Sequence, residues 1–241
     1  MNLFGFRRPG LTVVKAWCSP FGAQGRAGEL LALVDRLVAA LPQEPLEGAI
    51  DDGEAQPLSA LRRALARLQP AELQSLRLFD AAGELALFVG VDAAGAGPTP
   101  VLLFVVVLPP TVASSRDRVL GLLAAEGIHY GYARVMAPGL DPVAEARPRR
   151  SVPAQASGQW GAARDGWLVP EADIRAGAVR GLFPANLLSA VALARLSGSG
   201  LKLQSSIPAA GGVLWRLDAA EQQEIVRRNP DYKAFLHFGD C

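Results

Sequence analysis

Two histidines and two cysteines are the residues of this 241-residue chain most suited to nucleophilic, acid–base or metal chemistry. His129 lies in the alternating segment 128–135, and His237 lies near the C-terminus. Neither has a sequence neighbour that would supply a nucleophile or an orienting acid. We expect both to be structural or surface residues. A hydrolase-like site assembled around His129 from distant parts of the chain remains the alternative.

The cysteines and the glycine-rich segments carry no motif either. Cys18 and Cys241 lie at opposite ends of the chain, without a CxxC pair or a histidine at metal-binding spacing. This pattern predicts no zinc site, no disulfide framework and a reducing compartment. The glycine-rich stretches 95–97 and 198–200 lack the Lys-Ser/Thr of a phosphate loop, and no serine stands in a Gly-x-Ser-x-Gly elbow. We therefore predict no catalytic residue, metal or cofactor, and favour a binding protein over an enzyme.

The strongest local charge feature is an acidic loop predicted at residues 43–56. It contains no Lys or Arg, and its acidic residues are Glu44, Glu47, Asp51, Asp52 and Glu54. These carboxylates are either solvated surface or a site for a basic partner surface, where charge complementarity would speed association and set specificity. A groove that binds nucleic acid on another protein is such a surface.

Trp160 is the second candidate for partner contact. It lies in a segment of small and polar residues, and exposed tryptophans often dominate binding energy. Trp17 and Trp215, in contrast, end apolar strands and are predicted to belong to the core.

Composition excludes several classes of partner. The net charge is +1, so no overall field would attract the protein to nucleic acid or an anionic membrane. The basic clusters at 62–67 and 147–150 are not interleaved with aromatic residues, and we predict no direct binding of nucleic acid. The most apolar segment, 101–108, has eight residues, whereas a membrane-spanning helix needs about 20. The N-terminus reverses the order of a secretory signal, so we expect a cytoplasmic protein without membrane association.

The elements that must position these residues follow from hydrophobic periodicity. Strands are predicted at 11–17, 101–108 and 128–135, helices at 26–41, from Pro57 and at 114–126, and a hairpin at 75–91. In the C-terminal half we predict a strand at 179–183 that runs into a helix at Pro184, strands at 201–204 and 213–217, and a final helix capped by Asp218 and Glu221. Roughly seven or eight strands and five helices, with hairpins between strands, indicate an α+β fold with mostly antiparallel sheet.

Residues 137–165 are rich in Pro, Gly and Ser and contain few apolar residues. Long segments without structure of their own are uncommon inside a compact domain. We interpret this segment as a linker or mobile loop between an N-terminal lobe, 1–136, and a C-terminal lobe, 166–241.

Several segments resemble bacterial immunity proteins of polymorphic toxin systems, in particular immunity protein family 52. In the N-terminal half these are the strand ending in Ala16-Trp17, the leucine-rich helix at 26–41, the acidic loop with its following helix, and the 76–89 hairpin. In the C-terminal half, residues 166–168 (GWL) and 179–189 (VRGLFPANLLS) are similar to segments of that family.

The resemblance implies a small soluble antidote that binds its cognate toxin one to one. The usual partners of the family are nucleases with a restriction-endonuclease-like fold, including effectors of type VI secretion. An assembly protein of a secretion apparatus remains a third reading, which would predict self-association or several partners.

Overall fold

A computed structural model of the protein describes residues 10–21, 25–91, 101–109, 113–136, 141–143, 171–179, 181–198 and 206–228. Within these residues, ten strands form one antiparallel sheet and are accompanied by six α-helices. The predicted α+β class is confirmed. No helix in this part of the chain is long and apolar enough to cross a membrane.

The sheet has the strand order β3-β2-β4-β5-β6-β1-β7-β8-β10-β9. The strands are β1 (Leu11–Cys18), β2 (Glu47–Ile50), β3 (Gln56–Pro57), β4 (Ser75–Phe79), β5 (Leu85–Val91), β6 (Leu102–Leu108), β7 (Ile128–Met136), β8 (Ala185–Ser189), β9 (Ser206–Ala209) and β10 (Gly212–Arg216). The helices are α1 (Glu29–Val38), α2 (Leu58–Leu65), α3 (Ala113–Ala124), α4 (Glu171–Arg175), α5 (Ala190–Gly198) and α6 (Ala219–Arg228).

Both faces of the sheet are packed, because strand side chains alternate between the two faces. On one face, Val14 and Cys18 of β1 join a core with residues of α1, α2 and α3. On the other face, Val13 and Trp17 join a second core with residues of α4 and α5. A strand buried on both sides requires a nearly continuous apolar run, as β1 and β6 have.

The sheet continues across the predicted lobe boundary. Strand β7 precedes that boundary and β8 follows it, yet they are paired neighbours, with Tyr130 opposite Leu188 and Tyr132 opposite Asn186. The N-terminal and C-terminal halves therefore contribute strands to the same sheet. Of the predicted linker 137–165, only residues 141–143 belong to the described part of the chain.

The prediction of a loop throughout 43–56 is wrong. Residues 47–50 form β2, which pairs with β4, and residues 56–57 form β3, which pairs with β2. Strands of four and two residues are too short to show an alternating pattern in the sequence. Gly48 permits the close approach of β2 to β4, because a Cβ there would lie 2.5 Å from the carbonyl oxygen of Arg77.

The predicted strand-to-helix junction at Pro184 is also misplaced. Residues 185–189 form β8, and helix α5 begins only at Ala190. Every residue of β8 is buried between β7 and β10, so the segment lacks the apolar–polar alternation that marks a half-buried strand. Strand pairing on both sides outweighed the local preference for a helix after Pro184.

Two further C-terminal predictions have different outcomes. The strand predicted at 201–204 lies outside the described residues, and β9 follows at Ser206–Ala209. The capping box of α6 is confirmed: the backbone N–H of Asp218 donates to Glu221 at 2.9 Å, and that of Glu221 donates to Asp218 at 2.7 Å.

Candidate functional site

The acidic residues lie at one edge of the sheet, in a unit that we call the acidic hairpin, residues 44–57. It comprises β2, the turn at 51–52 and β3, the edge strand. A hairpin paired with the sheet holds its side chains in a fixed arrangement, unlike a free loop. The five predicted partner-binding carboxylates of this unit have different surroundings.

Asp51 has an internal structural role. Its Oδ1 accepts the backbone N–H of Gln74 at 2.9 Å and that of Ser75 at 2.8 Å. Its own N–H donates to the Ser75 carbonyl at 2.7 Å. Its φ of 54° lies in the left-handed region, which Asp tolerates better than most residues. Asp51 therefore joins the hairpin turn to the start of β4 and offers little of its carboxylate to a partner.

Glu44 also has a partner within the protein. Its Oε1 lies 3.1 Å from a terminal nitrogen of Arg62, and the Nε of Arg62 lies 2.8 Å from Asp35. The hydrogen bond to Asp35 is the main cause that raises the pKa of Arg62. These side chains are partly exposed, so the pairs contribute only about 0 to 1 kcal/mol each. They nevertheless orient α2 and the beginning of the hairpin relative to α1.

Three carboxylates remain directed at solvent. Glu47 and Glu54 are exposed, and neither forms an ion pair with another described residue. The Asp52 side chain is 100% exposed and lies 3.7 Å from Arg77, a separation typical of a weak surface pair. Glu47, Asp52 and Glu54 are therefore the part of the predicted acidic site that a partner can reach.

The predictions for three tryptophans have different outcomes. Trp160, the predicted partner contact, lies outside the described residues, as does the basic cluster at 147–150. Trp17 and Trp215 are buried, which confirms the prediction that both belong to the core.

A second group of reactive side chains is assembled at His129. Its Nε2 lies 2.9 Å from the Oγ of Ser19, although the two residues are 110 positions apart. Trp17 pairs with Tyr130 and Cys18 with Ile128, so His129 is the extra residue of a β-bulge in β7. The bulge places the imidazole beside the residue that follows β1.

The electrostatic surroundings keep His129 neutral near pH 7. Burial is the main cause that lowers its pKa, and the positive charge of Arg175 at the end of α4 lowers it further. A neutral imidazole keeps one nitrogen that can accept a proton. The sequence contained no local signal for Ser19, because only the pairing of β1 with β7 brings it to His129.

The face of β1 and β7 that carries Trp17 and Tyr130 is aromatic and includes a buried lysine. Trp17 stacks on Tyr130 with ring centroids 6.0 Å apart, and Tyr130 lies 5.8 Å from Tyr132. Lys15 is 0% exposed, and its Nζ lies 5.9 Å from the Tyr132 ring centroid. Its position between Val13 and Trp17, on the same face of β1, was the available sequence signal for burial.

Phe183 extends this aromatic group, and the side chain of Asn186 holds its backbone in place. Phe183 stacks on Tyr132 with ring centroids 4.0 Å apart. Asn186 is buried in β8, and its side chain donates to the Phe183 carbonyl at 2.7 Å and accepts the Phe183 N–H at 3.3 Å. Both backbone groups of Phe183 are thus hydrogen-bonded to one buried side chain, which helps to hold the ring over Tyr132.

Within the described ranges, no three His, Cys, Asp or Glu side chains cluster where they could hold a metal ion. Cys18 is buried and lies 3.7 Å from the Leu123 carbonyl. Burial, assisted by Glu126, raises the pKa of its thiol, so the nucleophilic thiolate is disfavoured.

Comparisons of the chain with protein-family models, with curated proteins and with solved structures found no match.

Proposed function

We propose that this protein is an immunity protein that binds and neutralises a cognate bacterial toxin by a non-catalytic mechanism. The proposed target is a nuclease effector of type VI secretion with a restriction-endonuclease fold, held in a one-to-one complex in the cytoplasm. The antidote itself contacts neither nucleic acid nor a membrane. The observation that carries this proposal is the set of exposed carboxylates, Glu47, Asp52 and Glu54, on the acidic hairpin.

Charge complementarity is the first support. A nuclease must neutralise the phosphates of its substrate with Lys and Arg, so its substrate cleft is basic. An acidic surface that enters or borders such a cleft attracts it over a distance and speeds association. It also competes directly with the nucleic acid for the same cations.

Preorganisation is the second support. Binding costs less when the contacting groups are already ordered in the free protein. Asp51 holds the hairpin turn against β4, and Glu44 joins the hairpin to Arg62 of α2. Two carboxylates of the predicted set thus fix the positions of the other three.

Capture of the partner followed by kinetics with charge variants tests this function. The tagged protein is used to isolate its partner from the native bacterium, and the recovered nuclease is purified. Association is then measured for wild type, for Glu47→Gln/Glu54→Gln, and for Glu29→Gln/Glu72→Gln. The last variant removes two carboxylates outside the hairpin and is the matched control.

The hairpin variant should associate about tenfold more slowly at low salt and show a weaker dependence on salt, because its long-range attraction is reduced. The control should behave like wild type. Equal rates for both variants would remove the acidic hairpin from the interface. Capture of only non-nuclease proteins would reject the proposed target.

A further inference from the structure

We propose that Ser19 and His129 form a nucleophile–base pair and that the protein transfers acyl groups from activated esters. This activity is separate from toxin binding and does not use the acidic hairpin.

The geometry of the pair is the first argument. The 2.9 Å separation between Ser19 Oγ and His129 Nε2 lies within the range for a nucleophile activated by a general base. The bulge in β7 produces this arrangement. In the regular register that Trp17 and Tyr130 set, His129 would pair with Cys18, whereas the bulge takes His129 out of the ladder.

The backbone around Ser19 is fixed, which is the second argument. Its N–H donates to the Gly127 carbonyl at 2.9 Å. Gly127 has a φ of 63°, and a Cβ there would lie 2.6 Å from the Ser19 carbonyl oxygen. This close approach therefore requires glycine, and it holds the nucleophile in place before any substrate binds.

The charge state of the pair is the third argument. Burial and the charge of Arg175 lower the pKa of His129, so at neutral pH its Nε2 can accept the Ser19 proton. Ser19 directly follows β1 and His129 lies in β7, so two paired strands bring the nucleophile and the base together.

The reaction balances without a further cofactor. Ser19 Oγ attacks the carbonyl carbon of the ester while its proton passes to His129 Nε2, and negative charge develops on the carbonyl oxygen. Collapse breaks the carbon–oxygen bond to the leaving group, which takes the proton from His129. Water then attacks the acyl-serine with His129 as base, releases the carboxylic acid and restores the Ser19 hydroxyl.

Labelling of the full-length protein with an alkyl fluorophosphonate, followed by peptide mapping, tests the pair. Ser19 should lose its proton, displace fluoride and carry the label, whereas the exposed Ser59 of α2 should not. Replacement His129→Gln should slow labelling about 100-fold, the lower end of the contribution of a general base. Ser59→Ala is the matched control and should label like wild type.

The pH profile separates this role from a structural hydrogen bond. Labelling should rise with pH as His129 loses its proton, with a midpoint below 6.5, the ordinary value. Arg175→Gln removes the nearby charge, so it should move the midpoint to higher pH. If Ser19 of the folded wild-type protein labels no faster than Ser59, the proposal is overturned. Toxin capture by Ser19→Ala should remain unchanged in either case, so the two proposals fail independently.

Discussion

Asp51 and Asp52 are sequence neighbours with opposite surroundings. Asp51 accepts two backbone N–H groups of residues 74 and 75, whereas the Asp52 side chain is 100% exposed. We predict that Asp51→Ala lowers the free energy of unfolding by about 1 to 3 kcal/mol, because two backbone N–H groups lose their hydrogen bonds to a charged acceptor. Asp52→Ala should change it by less than about 0.5 kcal/mol. Equilibrium urea unfolding measures both, and equal effects would contradict the role assigned to Asp51.

Lys15 is a charged residue that is fully buried in the sheet. It is 0% exposed, opposite Tyr132 in the strand register, with its Nζ 5.9 Å from that ring centroid. An aromatic face attracts a cation and repels an anion. Lys15→Glu should therefore destabilise the fold by at least about 2 kcal/mol more than Lys15→Met, which keeps the length of the side chain. Thermal unfolding of the two variants checks the order, and equal losses would argue against an electrostatic role.

At the scale of elements, the start of α5 depends on a single hydroxyl. Ser189 precedes the helix, and its Oγ accepts the backbone N–H of Ala192 at 3.2 Å. Loss of such a cap costs about 0.5 to 2 kcal/mol. Ser189→Ala should therefore lower the midpoint of urea unfolding, whereas Ser197→Ala, on the exposed part of the same helix, should not. Equal midpoints would show that the cap contributes nothing.

The elements also show which parts of the fold the sequence could predict. Helix α1 places Leu30, Val34 and Leu37 on one face. Strand β1 is rich in β-branched residues and is bounded by turn residues. Local patterns therefore identify both elements. Strands β2 and β3 are too short to carry a period, and β8 is buried on both faces, so its pattern does not distinguish strand from helix. Only pairing with other strands decides these segments.

The sequence predicted the candidate site only in part, as it did the fold. Acidic residues without nearby cations indicated an exposed surface, and three of the five carboxylates lie there. The internal roles of Asp51 and Glu44 depend on Ser75 and Arg62, which a local pattern does not connect to them. The contact between Ser19 and His129 spans 110 residues and requires a bulge, so composition and spacing could not reveal it.

For the whole molecule, the two edges of the sheet decide how it meets other proteins. Edge strand β3 contains Pro57 and edge strand β9 contains Pro208. Proline has no N–H to donate to an added strand, and edge prolines are a known protection against sheet-to-sheet association. Within the described sheet, both edges therefore favour contacts through side chains over extension by another strand.

This protection gives a prediction for the assembled molecule. Pro208→Thr restores an N–H in a strand that also exposes Ile207 at 48%. We expect increased self-association at concentrations where the wild type does not associate, because the edge becomes a template for pairing. Sedimentation velocity measures this, with the loop substitution Ala82→Thr as a control at an exposed turn. An unchanged distribution of species would show that Pro208 is not the barrier.

Neutralisation of a nuclease by binding is the activity proposed for the whole molecule. The most direct measurement is a titration of the captured nuclease with this protein, with cleavage of plasmid DNA as the readout. We predict that cleavage falls in proportion to the added protein and ends at about one molar equivalent, as expected for tight one-to-one binding. Cleavage that continues undiminished at about tenfold excess would contradict it.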